Sequence, residues 1–251
     1  MKKNYLFVSI LIFNLLFAQI TVQDIISKAD SLYQKFKYNE ALELYSEILK
    51  SDSLNYEANW KAARTFIDIG ETLEKGKQRS ELFIKGEKYA RKATQVDSLG
   101  SKGHLYLSIA LGRTALDASA KKRIQLSKEI KKEVDLAIKY NPSDDIAFHV
   151  LGRWNRKVAN LNWIERGFAN LFLGGVPKEA SNENAVKCFL KSIELNPYHI
   201  NHHLELAMTY EKMKQKDKAR EEYQKCLDLP VKDIDDEKHK ELAKSRLEKL
   251  K

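Results

Sequence analysis

The chain is expected to fold as an all-α solenoid of about five helix pairs, with inserted helices and a C-terminal capping helix. Three observations lead there. Among 251 residues, 43% are apolar and 31% charged, with four prolines and ten glycines, so helix breakers are scarce while Ala, Leu, Glu and Lys abound. One phrase recurs along the chain: "YNEALELYSEILKSDS" at 38–53, "ENAVKCFLKSIELNP" at 183–197 and "KDKAREEYQKCLDLP" at 216–230. Between these copies the apolar residues keep helical spacing, with closing signals at Ser53, Ser98, Pro142 and Pro197.

The first 18 residues stand apart from this array. Lys2 and Lys3 precede an apolar run from Tyr5 to Phe17, and Ala18 offers a small exit residue. This is the pattern of a secretory signal peptide over 1–18, its run of about 13 residues being short of the ~20 that span a bilayer. Leu16 is large for the position three before the cut, which leaves an uncleaved N-terminal anchor as the alternative. No cysteine follows the run, which argues against a lipid-anchored lipoprotein. The mature chain, 19–251, is therefore expected outside the cytoplasm, periplasmic or secreted. The formal net charge of +9 becomes +7 without Lys2 and Lys3, and it is spread in mixed-sign runs such as "KKRIQLSKEIKKE" from Lys121. Solvated helix faces account for that pattern, and nucleic acid is not an expected partner.

In each copy of the phrase an alanine is followed four residues on by an aromatic and three further by a small or apolar residue. That puts Ala41, Tyr45 and Ile48 on one helix face, and likewise Ala185, Phe189 and Ser192, and Ala219, Tyr223 and Cys226. Partner helices precede them: "ANWKAARTF" from Ala58, "AFHVLGRWN" from Ala147 and "HLELAMTY" from His203. An antiparallel pair with this spacing resembles the tetratricopeptide repeat, whose period is about 34 residues. Repeats are placed near 22–54, 55–99, 100–143, 144–198 and 199–231. The closing signals lie 45, 44 and 55 residues apart, so the central repeats carry insertions around 71–84, 113–127 and 156–182. A last helix over 235–251, with Leu242, Leu247 and Leu250, would cap the exposed end.

The segment "GRWNRKVANLNWIERGFANLFLGGVP", followed by "ENAVKCFLKSIELNP" and the ending "LDLPVKDIDDEKHKELA", looks like the regulator of microtubule dynamics family over roughly 55–251. The resemblance implies a helical-repeat fold and a scaffold role. That family is linked in animals to microtubules, and a branch of it to contacts between membranes. The signal peptide and bacterial-looking N-terminus depart from that setting, so tubulin is not an expected partner. In the repeat framework, fixed positions of each first helix face the concave groove. They map here onto Trp60 and Arg64, and His149 and Arg153, with Arg113 and Arg156 one turn farther along. Arginines beside aromatics can hold a carboxylate through forked hydrogen bonds, or they can pair with Asp or Glu across helices. The Lys and Asn of a chaperone-type carboxylate clamp are absent from these positions.

The inserted segment itself predicts an amphipathic helix. Trp163, Ile164, Gly167, Phe168, Leu171 and Phe172 share one side, and Gly174-Gly175 stops it. Packing of this stripe into the core is the ordinary reading; an exposed patch that docks a partner or a membrane is the other. Catalytic signatures are missing. Gly174-Gly175 lies in neither a G-x-x-x-x-G-K-[ST] nor a G-x-G-x-x-G setting, and no nucleophile elbow or H-E-x-x-H is present. His199, His202 and His203 form the one dense histidine group, without a convincing third metal ligand. Cys188 and Cys226 read as buried small residues more readily than as a disulfide. No cofactor or metal is expected. The sequence thus points to a non-enzymatic protein-interaction scaffold with a protein or peptide partner, acidic if the arginines serve it. The alternative is a membrane-proximal lipid-binding or tethering protein that uses the aromatic helix.

Overall fold

The computed structural model describes residues 21–250, so the expected signal segment lies outside the described residues. Those residues form twelve helices and no strand. Five antiparallel pairs follow one another: α1 (Val22–Gln34) with α2 (Tyr38–Ser51), α3 (Tyr56–Thr72) with α4 (Lys77–Val96), and α5 (Ser101–Asp117) with α6 (Ala120–Tyr140). The fourth joins α7 (Asp145–Ala159) to α9 (Asn182–Leu195), with α8 (Trp163–Leu173) inserted between them. The fifth is α10 (Ile200–Lys212) with α11 (Lys216–Asp228), and α12 (Asp236–Lys249) covers it. None of these helices is long and apolar enough to cross a membrane.

Local signals set the starts. Thr21 and Asp24 exchange hydrogen bonds in a capping box, and Asn162 and Glu165 do the same for α8. Asn55, Ser119, Asp144 and Ser181 cap α3, α6, α7 and α9 through their side-chain oxygens. The repeated phrase then supplies the packing. Ala41, Tyr45 and Ile48, Ala185, Phe189 and Ser192, and Ala219, Tyr223 and Cys226 are all buried. Small residues on one helix admit aromatics from the next. A Cβ on Gly152 of α7 would fall 2.7 Å from the Phe189 ring, and one on Gly70 of α3 would fall 2.6 Å from that of Phe83. Trp154 is also buried, and its indole N–H donates to the Ser127 carbonyl at 2.9 Å, tying α7 to α6.

The extra length of the central repeats is spent in two ways. Around 71–84 and 113–127 it becomes added helical turns, giving an α4 of 20 residues and an α6 of 21, against 14 for α2. Within 156–182 it becomes α8, which lies against α6.

The side of α8 that packs is not the one expected from its apolar stripe. Trp163 is 81% exposed, Leu171 76%, Ile164 45% and Phe172 39%, while Glu165 and Ala169 are buried and Phe168 is half-buried. Core packing of these aromatics is therefore overturned. The cause is electrostatic: the Arg123 guanidinium of α6 donates to Glu165 at 2.7 Å and to the Ala118 carbonyl at 3.1 Å, docking the helix by its carboxylate side. Turning the stripe inward would break that pair, carrying Glu165 out to solvent and leaving Arg123 without its carboxylate.

The cap differs from expectation at one position as well. Ala243 and Leu250 join Tyr223 and Cys226 in the terminal cluster with Leu247 packed beside them, but Leu242 points into the interior hollow and is 40% exposed.

Candidate functional site

The first helices of the pairs, α1, α3, α5, α7 and α10, line a hollow of about 770 Å³. Its wall is completed by Asp233, Ile234 and Asp235 from the strap joining α11 to α12, and by Lys238, His239 and Leu242 of α12. Tyr33 and Tyr38 from the first pair line the same space, and Asp233 and Asp235 help to raise the Tyr38 phenol's pKa, after burial and Asp68. The array thus curves far enough to bring its last helix round toward its first.

Aromatic and charged groups interleave at the α1–α3 end. The Arg64 guanidinium lies 3.5 Å over the Tyr33 ring and 3.8 Å from an Asp30 carboxylate oxygen. Trp60 stacks on Tyr106 with ring centroids 5.6 Å apart and planes 4° from parallel, bridging α3 to α5. Lys61 pairs with Asp30 of α1 and with Glu57 at 2.7 Å. Tyr33 donates its hydroxyl to Asp68, whose pKa burial pushes up to about 7 despite that bond and the nearby arginines.

The middle of the hollow is cationic. Arg113 pairs with Glu71, while Arg153 (at 3.3 Å) and Arg156 both converge on Glu205. Arg79 and Lys157 reach the same space and have no ion-pair partner among the described residues. Five cations therefore share two carboxylates, Glu71 and Glu205. Burial, followed by the neighbouring arginines, lowers the Lys157 pKa to about 8 and that of Arg156 to about 10. Burial lowers those of Arg113 and Arg153 as well. The buried Nε atoms of Arg79 and Arg156 have no hydrogen-bond acceptor among the described residues.

Of the residues expected to line a groove, Arg64, Arg113, His149 and Arg153 border the hollow. Trp60 is turned into its stack with Tyr106, and Arg156 is engaged by Glu205. The arginines pair across helices with Glu71 and Glu205, and they outnumber those two acids. Asp30, Asp68, Glu71, Glu205 and Lys157 were not foreseen. Asp68 and Lys157 lie one turn beyond Arg64 and Arg153 on the same helices, a spacing the sequence shows, whereas Asp30, Glu71 and Glu205 carry no such signal.

The histidines are used internally. His149 and His202 approach through their Nδ1 atoms at 3.0 Å, and His202 Nε2 lies 2.9 Å from Asp145. Burial lowers the pKa of both imidazoles, that of His202 to about 4, so both rings are neutral near pH 7, with His202 donating from Nε2 to Asp145 and accepting at Nδ1 from His149. His199 stacks on His202 with centroids 4.1 Å apart, and His203 bonds Glu222 at 2.7 Å. No group of three or more His, Cys, Asp or Glu among the described residues could hold a metal ion. Cys188 and Cys226 are free thiols, the latter directed at the Ile200 carbonyl.

Comparison with known proteins agrees with this architecture. A family model described as Regulator of microtubule dynamics protein 1-3 matches residues 25–251. Regulator of microtubule dynamics protein 3 of Rattus norvegicus is 29% identical over 180 residues, which is 70% of this chain and 38% of that protein. Regulator of microtubule dynamics protein 1 of Caenorhabditis elegans is 25% identical over 221 residues, 88% of this chain and 97% of that protein. The chain thus spans about two-fifths of the rat relative. Among solved structures, a thermophilic TPR (tetratricopeptide-repeat) protein of Thermus thermophilus superposes with a TM-score of 0.65 at 19% identity, over 90% of this chain and all of that one. Pseudomonas aeruginosa pilF does so with a TM-score of 0.54 at 16% identity, over 91% of each chain. Both likenesses concern the fold.

Proposed function

Since the chain belongs to the regulator of microtubule dynamics family, we propose that it is a non-enzymatic scaffold which holds an acidic segment of a protein partner in its central hollow. The observation that carries this reading is the charge imbalance in the middle of the hollow, where Arg79, Arg113, Arg153 and Lys157, with Arg156 behind them on Glu205, face Asp68, Glu71 and Glu205. Cations that depress one another's proton affinity gain most from an anion placed among them. Arg guanidinium forks suit a carboxylate, and Ile109, Val150 and Leu204 on the same wall offer apolar contact to residues beside it.

Chemistry is a poorer account of the same groups. Asp68 has a perturbed pKa, which can mark a catalytic acid, yet its partner is the Tyr33 hydroxyl and no nucleophile–base pair adjoins it. The nearby imidazoles are neutral and bonded to each other and to Asp145. The sequence of the first 18 residues supports work outside the cytoplasm, where tubulin is not met.

Affinity capture from the native source tests the reading, with the full chain and an Arg153→Gln/Lys157→Glu variant as baits. Lys157 has no ion-pair partner among the described residues, and Arg156 still holds Glu205, so the variant should melt within a few degrees of wild type. Loss of the proteins bound by wild type is expected. Two equally folded baits with the same partner set would sink the hollow as the binding site.

A further inference from the structure

The exposed side of α8 has no partner among the described residues. At 100° per residue, Trp163, Gly167, Leu171, Ile164, Phe168 and Phe172 sweep an apolar arc of about 180°. Arg166 and Asn170 border it on one edge; on the other, Lys121 of α6 stands 5.2 Å from the centre of the Phe172 ring. Lys121 and Lys122 are exposed and have no ion-pair partner among the described residues, and Arg166 is exposed with its Nε and one Nη donating to the Leu161 and Ala159 carbonyls at 3.1 Å. The sole carboxylate within α8, Glu165, is buried against Arg123, and Glu179 is the next one along the chain.

We propose that α8 docks the protein on an anionic membrane surface, seating Trp163, Ile164 and Leu171 among the acyl–headgroup boundary while Lys121 and Arg166 meet lipid phosphates. Area decides between this and a protein occupant. The four exposed side chains offer roughly 500 Å² of apolar surface, below the ~800 Å² per partner of a stable interface, yet ample for an interfacial helix. The chemistry agrees. A tryptophan at the edge of an apolar arc, with cations on both flanks, matches the graded polarity of a bilayer interface. This surface is separate from the hollow and its partner, so either assignment can fail alone.

The test uses the full chain and vesicles of phosphatidylcholine with or without about one-third phosphatidylglycerol. Trp154 is buried and Trp60 half-buried, so quenching by brominated acyl chains reports Trp163, with Trp163→Phe as the blank. Anionic vesicles should quench wild-type emission at least about twofold, and Leu171→Asp should weaken vesicle binding by about tenfold without changing the melt. Because every variant keeps residues 1–20, binding through that segment alone would leave Trp163 unquenched, and that result overturns the proposal. So would an absence of vesicle binding, or equal binding by the Leu171→Asp variant. A dimer in light scattering that Trp163→Asp abolishes would reassign the face to a second copy of the chain.

Discussion

His149 and His202 make the protein's acid response a property of two side chains. Burial lowers the His149 pKa well below its ordinary value, and burial outweighs Asp145 in lowering that of His202 to about 4. In the unfolded chain both titrate near 6.5, so on acidification the unfolded state takes up protons before the folded one. Stability is therefore complete above about pH 6.5 and declines as the pH falls toward 4. For His202 alone the loss between pH 7 and 5 is about 2 kcal/mol. His104 runs the other way. Its bond to Glu133 raises its pKa, so its contribution is full below pH 6.5 and is lost as the pH rises through the raised value. The two effects place the stability maximum near neutrality. Urea denaturation at both pH values should show the acid loss. His202→Gln, whose amide can still donate to Asp145 and accept from His149, should reduce it. An unchanged pH slope in that variant would remove His202 from the account.

At the scale of elements, the tight turns within the first and last pairs share one feature. Phe36 between α1 and α2, and Lys214 between α10 and α11, both have φ of 60°, a left-handed conformation that side chains other than glycine adopt at a cost. Lys214 is exposed and forms no ion pair among the described residues, so Lys214→Gly relieves strain without removing a contact. A gain of about 0.5–1 kcal/mol, or roughly 1–4 °C in melting temperature, is expected. Phe36→Gly should gain less, because the Phe36 ring packs edge-on against Tyr38 at 6.2 Å. A lower melting temperature for Lys214→Gly would show that the turn is not strained. What the sequence reveals divides along the same line. Alanine–aromatic spacing was legible because each helix pair satisfies it locally, and Ala41–Tyr45, Ala185–Phe189 and Ala219–Tyr223 are buried where it puts them. The orientation of α8 was not, because an apolar stripe records where water is disfavoured and says nothing of the Arg123–Glu165 pair that turned it outward. The hollow was half legible. Its arginines follow from repeat positions, whereas Glu71 and Glu205, which decide how much positive charge remains free, lie on other helices at separations set by curvature.

Over the whole molecule, stability should behave as a chain of neighbours. Packing runs between neighbouring helices, and charged links join α1 to α3 (Asp30–Lys61), α3 to α5 (Glu71–Arg113), α7 to α10 (Arg156–Glu205) and α10 to the cap (Glu211–Arg246). In such an array, damage at one end need not reach the other. α12 is the place to test this. Ala243 is fully buried against the α10–α11 pair, so Ala243→Arg cannot be accommodated with the helix in place. Released, α12 would uncover Tyr223 and Cys226 and withdraw Leu242 and His239 from the wall of the hollow. Amide exchange should then show lost protection across α10–α12 and full protection through α1–α6. The acidic partner segment should bind more weakly, because one side of its enclosure has gone. Uniform loss of protection along the chain would instead mean that curvature couples the two ends. The closure that brings Asp233 and Asp235 toward Tyr38 would then be a cooperative contact, and the array would unfold as a single unit.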